Sequence, residues 1–349
     1  MTELELFNLN CAQLITICHG VFGLDRTNYM TKKRIISSCV MICLLFAVTF
    51  GGGAFVAETR AADVLPVEER LSNRHEIILA LREGLRTRSA AITVRFRDYR
   101  DVLRECDGMV RGWMEEALAE TEHPAEGDYI RYQYGGYTYK CSYEARVVPD
   151  GAHTERGAET QYHYTIRIVP EYDSFLAWEE QVDVRVRELM AGFAFGDTAT
   201  DLQKIRTIYD YICENVTYDK VHAKNPYHTK RHTAYAALFQ KTATCQGFCT
   251  ALYRLLREAD IDCRIVTGKA EDESLHAWVI VNVNGAYYLL DPSWDANSED
   301  GYRYFLIGTE EDAGRHVPGA AFTTESFMKR HPLAEETYDA GGGMSIRDD

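Results

Sequence analysis

Three side chains in the C-terminal part of the chain have the types and the spacing for nucleophilic chemistry. Thr244-Cys245-Gln246-Gly247-Phe248-Cys249 opens an amphipathic helix that continues through Leu252, Leu255 and Leu256. Thr244 fits the cap, so Cys245 falls in the first turn. A helix start stabilises an anion, which shifts a thiol there toward the nucleophilic thiolate. Cys249, one turn further on, reads as a small buried hydrophobe. Downstream, Leu275–Val283 and Ala286–Leu290 are joined by Asn284-Gly285, a strong signal for a two-residue hairpin. That turn fixes a register: Val283 against Ala286, Val281 against Tyr288, Val279 against Leu290 and Trp278 against Asp291. Side chains alternate along a strand, so His276 shares a face with Trp278 and becomes a diagonal neighbour of Asp291, about 7–8 Å away at the backbone. An acid beside an imidazole fixes its tautomer and stabilises its charged form. A helix-start cysteine facing a His–Asp pair on a strand ladder is the layout of a thiol acyl-transfer site.

The elements that must hold these groups can be read along the chain. A helix starts at Thr200, with Gln203 completing a capping box. Leu202, Ile205, Ile208, Tyr209, Ile212 and Val216 repeat along it at helical spacing as a packing stripe. The helix that carries Cys245 should end near Asp260, followed by a strand over Cys263–Lys269 and an acidic loop at Glu271-Asp272-Glu273. Upstream, residues 66–86 read as a helix, Ala91–Arg97 as a half-buried strand, Tyr99–Glu120 as a second helix, Gln161–Val169 as a further strand and 173–191 as a connecting helix. Gly135-Gly136 reads as the turn of a hairpin within Tyr129–Val148, with Tyr134 facing Tyr137 and Tyr132 facing Tyr139. These tyrosines form the apolar side of that hairpin and are expected under the helices rather than as a sugar-stacking platform. The polar stretch 219–232, with His222, His228 and His232, reads as a solvated loop without metal-ligand spacing. So does the acidic run of Asp295, Asn297, Glu299 and Asp300, which lacks the EF-hand pattern.

The chain has 349 residues, with 53 Asp+Glu against 38 Lys+Arg and a formal charge of −15. That balance argues against a nucleic-acid partner, which would need a phosphate-neutralising basic face. A hydrophobic content of 46% supplies a core and excludes wholesale disorder. Near the N-terminus, Thr31-Lys32-Lys33-Arg34 precedes 23 uncharged residues, Ile35 to Ala57. This is the pattern of an export signal or a membrane anchor, with everything after Glu58 outside the cell. Met30 stands where such a signal would begin, so residues 1–29 read as a mis-called start or cytoplasmic segment, and 30–57 as the signal or anchor. Six cysteines follow it (Cys106, Cys141, Cys213, Cys245, Cys249 and Cys263). They are too sparse for a disulfide-built fold, with room for one or two bridges.

Cys245-Gln246-Gly247, His276-Ala277-Trp278 and Asp291-Pro292-Ser293-Trp294 resemble the three motifs of the transglutaminase-like superfamily of thiol enzymes. Tyr209-Asp210-Tyr211-Ile212 and Val216-Thr217-Tyr218-Asp219 resemble the lead-in of its bacterial members, and the likeness covers roughly residues 200–306. With the export signal, the chain is similar to bacterial surface proteins that carry this domain at the C-terminus. The resemblance implies an α+β chain: a papain-like core over 173–335, with an N-terminal helix packed on antiparallel sheet. A smaller α+β domain of undisclosed role (66–170) would precede that core, and a disordered tail (336–349) would follow it. It also implies Cys245 as nucleophile, His276 as base and later acid, and Asp291 as orienting group. The acyl donor would be a glutamine side chain or a peptide bond of a protein substrate at the cell envelope, and the thioester would be resolved by water or an amine, without a cofactor or metal. The backbone N–H of Cys245 would serve the oxyanion, with Gln240 and Tyr235 as candidates for the second donor by position. The calcium sites of the animal enzymes do not carry over. The alternatives are a catalytically quiet module that binds peptide or cell-wall material, and an envelope-assembly protein forming covalent links through the thiol domain.

Overall fold

Asn73 accepts from the Glu76 N–H while Glu76 reaches back to the Asn73 N–H, and this capping box starts α1, Arg74–Arg86. The computed structural model of the chain describes residues 72–149, 158–223, 225, 228–296 and 302–339. The proposed signal, the early start and the tail beyond 339 lie outside these residues. Among the described residues no helix is long and apolar enough to cross a membrane.

Ile77, Ile78, Leu81 and Leu85 fall on one side of α1 and are buried. Strand β1, Ile92–Asp98, alternates Ile92, Val94 and Phe96 inward. Helix α2, Cys106–Ala117, buries Val110, Trp113 and Met114 in the same cluster. A short helix, α3 (Asp128–Arg131), leads into β2, Tyr134–Pro149, and β3, Ala158–Tyr172. The sheet is antiparallel in the order β1-β3-β2.

Gly135-Gly136 is not a hairpin turn. The chain runs through both glycines as one long strand, and the register slips between Tyr134 and Gly136, which pair with Tyr172 and Glu171. The turn reading fails because the residues ahead of it are already spent. Asp128–Arg131 are helical, and β3 offers the strand a much longer partner. Gly136, at φ 131°, absorbs the extra residue as only glycine does cheaply. Tyr134, Tyr137, Tyr139 and Cys141 nevertheless pack on the cluster under α1 and α2, whereas Tyr132 joins the other core.

Helix α4, Leu176–Phe193, buries Val182 and Val186. Helix α5, Asp201–Asn215, starts at the expected Thr200–Gln203 box and buries Ile205, Ile208, Tyr209 and Ile212. Two short strands, β4 (Thr217–Tyr218) and β5 (Thr242–Ala243), pair in parallel. Between them a π-helical turn spans Ala236–Gln240. Helix α6, Cys245–Glu258, is central to the larger core and keeps Phe248 to Leu256 buried without a break.

The second sheet is built from β6 (Cys263–Ala270), β7 (Leu275–Val283) and β8 (Ala286–Leu290). After α7, Pro292–Asp295, come β9 (Phe305–Ile307), α8 (Thr309–Asp312), β10 (His316–Pro318) and α9 (Glu325–Arg330). The order is β10-β6-β7-β8-β9, all antiparallel. Asn284 and Gly285 both take positive φ, and the Val283–Ala286, Val281–Tyr288 and Val279–Leu290 pairs form as the turn requires. Ala277, Val279 and Val281 face α6, while Trp278 and Ile280 face a smaller cluster capped by Phe327 of α9. The molecule is thus α+β, with two antiparallel sheets each covered by helices.

The described residues form one compact unit that contains both cores. The stretch from α3 to Gln133 stitches them. Asp128, almost fully buried, accepts from Arg264 Nε at 2.8 Å and from the Ile265 N–H at 2.9 Å. Gln133 accepts the Ala234 N–H at 3.0 Å, and Gln246 donates to the Tyr132 carbonyl. Asp295 is no loop residue. Its buried carboxylate takes Tyr209 Oη at 2.6 Å and the Arg303 and Tyr304 N–H groups, because the chain after α7 turns back over α5. Asn297, Glu299 and Asp300 lie outside the described residues.

Gly247 packs so closely that an added Cβ would lie 2.5 Å from the Arg231 carbonyl and 2.8 Å from Ala243 Cβ. Gly247→Ala should therefore destabilise the fold by about 1–3 kcal/mol, measured as a lower urea midpoint at unchanged slope. Cys106 and Cys141 place their sulfurs 2.8 Å apart between α2 and β2. Incubation with oxidised glutathione should link these two and no other described cysteines, read as a single cross-linked peptide pair by mass spectrometry.

Candidate active site

The β4–β5 pair ends at Ala243, one residue before the cap of α6, and this fixes where the helix begins. Thr244 is the cap by position, but its hydroxyl is engaged elsewhere, with His232 Nδ1 at 2.6 Å and the Arg231 carbonyl at 3.2 Å. The cap thus ties the helix start to the preceding loop. Cys245 follows as the first helical residue, half-buried, with its backbone N–H among those a helix start leaves unpaired.

His276 lies near the start of β7, opposite Gly268 of β6. The β7–β8 ladder closes at Val279–Leu290, and Asp291 then leaves the sheet to cap α7. Asp291 Oδ1 accepts the Ser293 N–H at 2.9 Å, Ser293 Oγ at 2.7 Å and the Trp294 N–H at 3.3 Å. Its Oδ2 takes His276 Nε2 at 2.7 Å. The imidazole is stacked on Trp294, with ring centroids 4.7 Å apart and planes 14° from parallel. With Nε2 held by the carboxylate, Nδ1 is the nitrogen left for Cys245, whose side chain interacts with that of His276.

The electrostatics follow from burial and pairing. Burial alone would push the His276 pKa down, but the hydrogen bonds and negative charges of Asp291 and Cys245 raise it to about 10. Burial would push Asp291 up, yet the donors His276 and His316 hold it well below the usual carboxylate range. At neutral pH the site therefore carries an imidazolium between a carboxylate and the thiol sulfur, the charge state in which a thiolate is stabilised.

The structure brings Cys245, His276 and Asp291 together and leaves Gln240 and Tyr235 elsewhere. Gln240 is exposed, and its amide oxygen accepts from Arg231 Nη1 at 2.8 Å. Tyr235 is sandwiched between Trp178 and Phe239, at 4.5 and 4.9 Å. Both were candidates by closeness in sequence alone, and the π-helical turn directs them to other partners. The phenol that does interact with Cys245 is that of Tyr218. Burial comes first among the causes that keep this phenol protonated and able to donate, followed by the charge of Cys245. It is carried by β4, in the Val216-Thr217-Tyr218-Asp219 segment, and its closeness to Cys245 in space depends on the β4–β5 pairing.

His316 has no signal in the sequence pattern. It arrives on β10, fully packed, and its Nε2 donates to Asp291 Oδ2 at 3.2 Å. His276, Asp291 and His316 bring one ligating atom each within 4.8 Å of the others, a grouping that could close on a metal ion. The atoms that meet are two imidazole N–H donors and the carboxylate oxygen they share, so hydrogen bonds already close the set. A cavity of about 290 Å³ lies behind it, lined by Trp278, Tyr287, Phe327, Asp312 and His316 but not by Cys245.

A half-buried thiol at a helix start, with a buried imidazole on antiparallel sheet and a buried carboxylate just beyond the sheet's end lined up behind it, forms a papain-like thiol site. Residues 190–292, which carry Cys245, His276 and Asp291, match the transglutaminase-like superfamily. Human kyphoscoliosis peptidase is 28% identical over 112 residues, covering 29% of this chain and 17% of its own length. The mouse protein of that name is 27% identical over the same shares. The match thus spans about a sixth of the length of these curated relatives. Among solved structures, one described as a TGase aligns with TM-score 0.31 and 12% identity, over 63% of this chain and 55% of its own. The periplasmic domain of TgpA from Pseudomonas aeruginosa aligns with TM-score 0.26 and 12% identity, over 47% and 73%.

If the imidazolium stabilises the thiolate, His276→Ala should slow alkylation of Cys245 at neutral pH by at least about tenfold, the effect of one pKa unit. The difference should close toward pH 10, where the imidazolium is lost and a thiol ionises unaided. Site-resolved mass spectrometry of iodoacetamide labelling across pH checks both.

Proposed function

We propose that this chain is a thiol acyl-transfer enzyme of the cell envelope, cleaving an amide of a protein or peptide through a thioester on Cys245. The observation that supports it is the Cys245–His276–Asp291 line, with His276 held charged between the Asp291 carboxylate and the Cys245 sulfur. The sulfur attacks the amide carbonyl, and the C–N bond breaks as His276 passes its Nδ1 proton to the departing nitrogen. Ammonia leaves from a glutamine side chain, or an amine from a peptide bond. A water or an amine then gives a proton back to His276 as it attacks the thioester, releasing the acid or the new amide and restoring the site. The Cys245 N–H and the Tyr218 hydroxyl are the two donors for the oxyanion.

Hydrolysis is the preferred outcome, since water is the default acceptor at a half-exposed sulfur. The matching relatives named peptidase agree with that preference over the matched segment. The envelope location rests on the basic-then-apolar pattern of Thr31 to Ala57. The second reading, a quiet binding module, would require Cys245 to be inert.

The test supplies glutamine-containing peptides with and without a small primary amine, using Cys245→Ala as control. Ammonia release or peptide cleavage that needs Cys245, with a trapped acyl adduct on that residue, is expected. Amine incorporation in place of acid would assign transamidation. No product and no adduct, with Cys245 no more reactive than Cys249, would overturn the enzyme reading.

A further inference from the structure

His316 lies outside the segment matched to the superfamily and is built into the site by a second, independent set of contacts. Asp312, the last residue of α8, accepts the His316 N–H at 3.2 Å and its Nδ1 at 2.6 Å. The link from α8 to β10 passes through Ala313 and Gly314, both at positive φ, which turns the chain so that the ring enters between Trp294 and Trp278. Nε2 then reaches Asp291. Both ring nitrogens therefore face carboxylate oxygens, which accept and do not donate, and both must carry protons. His316 is an imidazolium with a side chain only 1% exposed.

The charged and titratable groups facing it are Asp312 from α8, Asp291 from the turn after β8, and His276 from β7, its ring 5.5 Å away. The Tyr304 ring, 5.9 Å away, is covered on its own side by the Arg315 guanidinium. Along the line Asp312–His316–Asp291–His276 carboxylates and imidazoles alternate, and the line ends on the Cys245 sulfur. Resting on the enzyme reading above, we propose that His316 is a positioning residue that shares the Asp291 carboxylate with His276 and, as a permanent buried cation, sets the pH at which the Cys245–His276 pair forms.

The physical consequence is directional. A buried cation near the thiol favours the thiolate and weakens the hold of Asp291 on the His276 proton, so that this proton can be passed on. Removing the cation makes the surroundings more negative, and both ionisations move to higher pH. His316→Gln keeps a donor for Asp291 and deletes the charge. Asp312→Asn keeps an acceptor for Nδ1 and deletes the negative charge that offsets the cation.

The experiment is the pH profile of Cys245 alkylation by iodoacetamide, resolved by mass spectrometry, in wild type, His316→Gln and Asp312→Asn, with a thermal melt of each. The midpoint should move to higher pH in His316→Gln, on the order of one unit for a unit charge at this separation in a partly screened interior. Asp312→Asn should move it the opposite way, to lower pH, because it removes a buried anion and leaves the cation in place, and it serves as the test if His316→Gln does not fold. Wild-type midpoints in the folded variants, or reactivity that drops equally at every pH, would overturn the inference and leave His316 a packing residue. If the wild type shows no His276-dependent reactivity, the enzyme reading itself fails and this inference falls with it.

Discussion

Asp291 carries a negative charge with no exposed surface, and it is accommodated because five donors converge on two oxygens. A buried carboxylate without partners would cost several kcal/mol and would take up a proton instead. The donors come from β7, from β10 and from the first turn of α7, so three separate elements must be in place before the charge is satisfied. In return the carboxylate fixes each of them: the His276 ring, the His316 ring and the start of a four-residue helix too short to hold itself. The site is therefore also a structural knot.

The thiol reaches that knot by a different route. Helix α6 is buried on all sides over Phe248 to Leu256 and is fixed by that burial along its length. Its start is set by the β4–β5 pair and by Gly247, where the Arg231 carbonyl comes too near for any side chain. Position along the helix axis, rather than any contact of the cysteine itself, delivers Cys245 to His276. The same β4 strand delivers the Tyr218 hydroxyl. One short pairing thus places both Cys245 and the phenol that interacts with it.

The N-terminal sheet takes part in this arrangement. Asp128, Gln133 and the Tyr132 carbonyl bond to Arg264, Ala234 and Gln246, which belong to β6, the loop before α6 and α6 itself. Gln246 stands next to Cys245, so α3 and the link that follows it brace the residue beside the thiol. The stability of the site and that of the upstream region are coupled through buried polar contacts, which resist displacement because no solvent is there to replace them.

The sequence alone determined what is local. The capping box at Thr200, the Asn284-Gly285 turn with its register and the placement of Cys245 in a first turn depend on residues within a few positions of one another. His276 and Asp291 came within reach by arithmetic, because a two-residue turn and strict alternation leave little freedom over fifteen residues. Where two local signals competed, the sequence misled. Gly135-Gly136 looked like a turn, but a glycine pair serves a bulge equally well, and the choice belonged to the partner strand. Tyr218, His316, Asp312 and the burial of Asp295 were decided only by the tertiary structure. Each depends on which distant strands pair and which charges are forced to share a dry space, and a linear pattern carries neither of these.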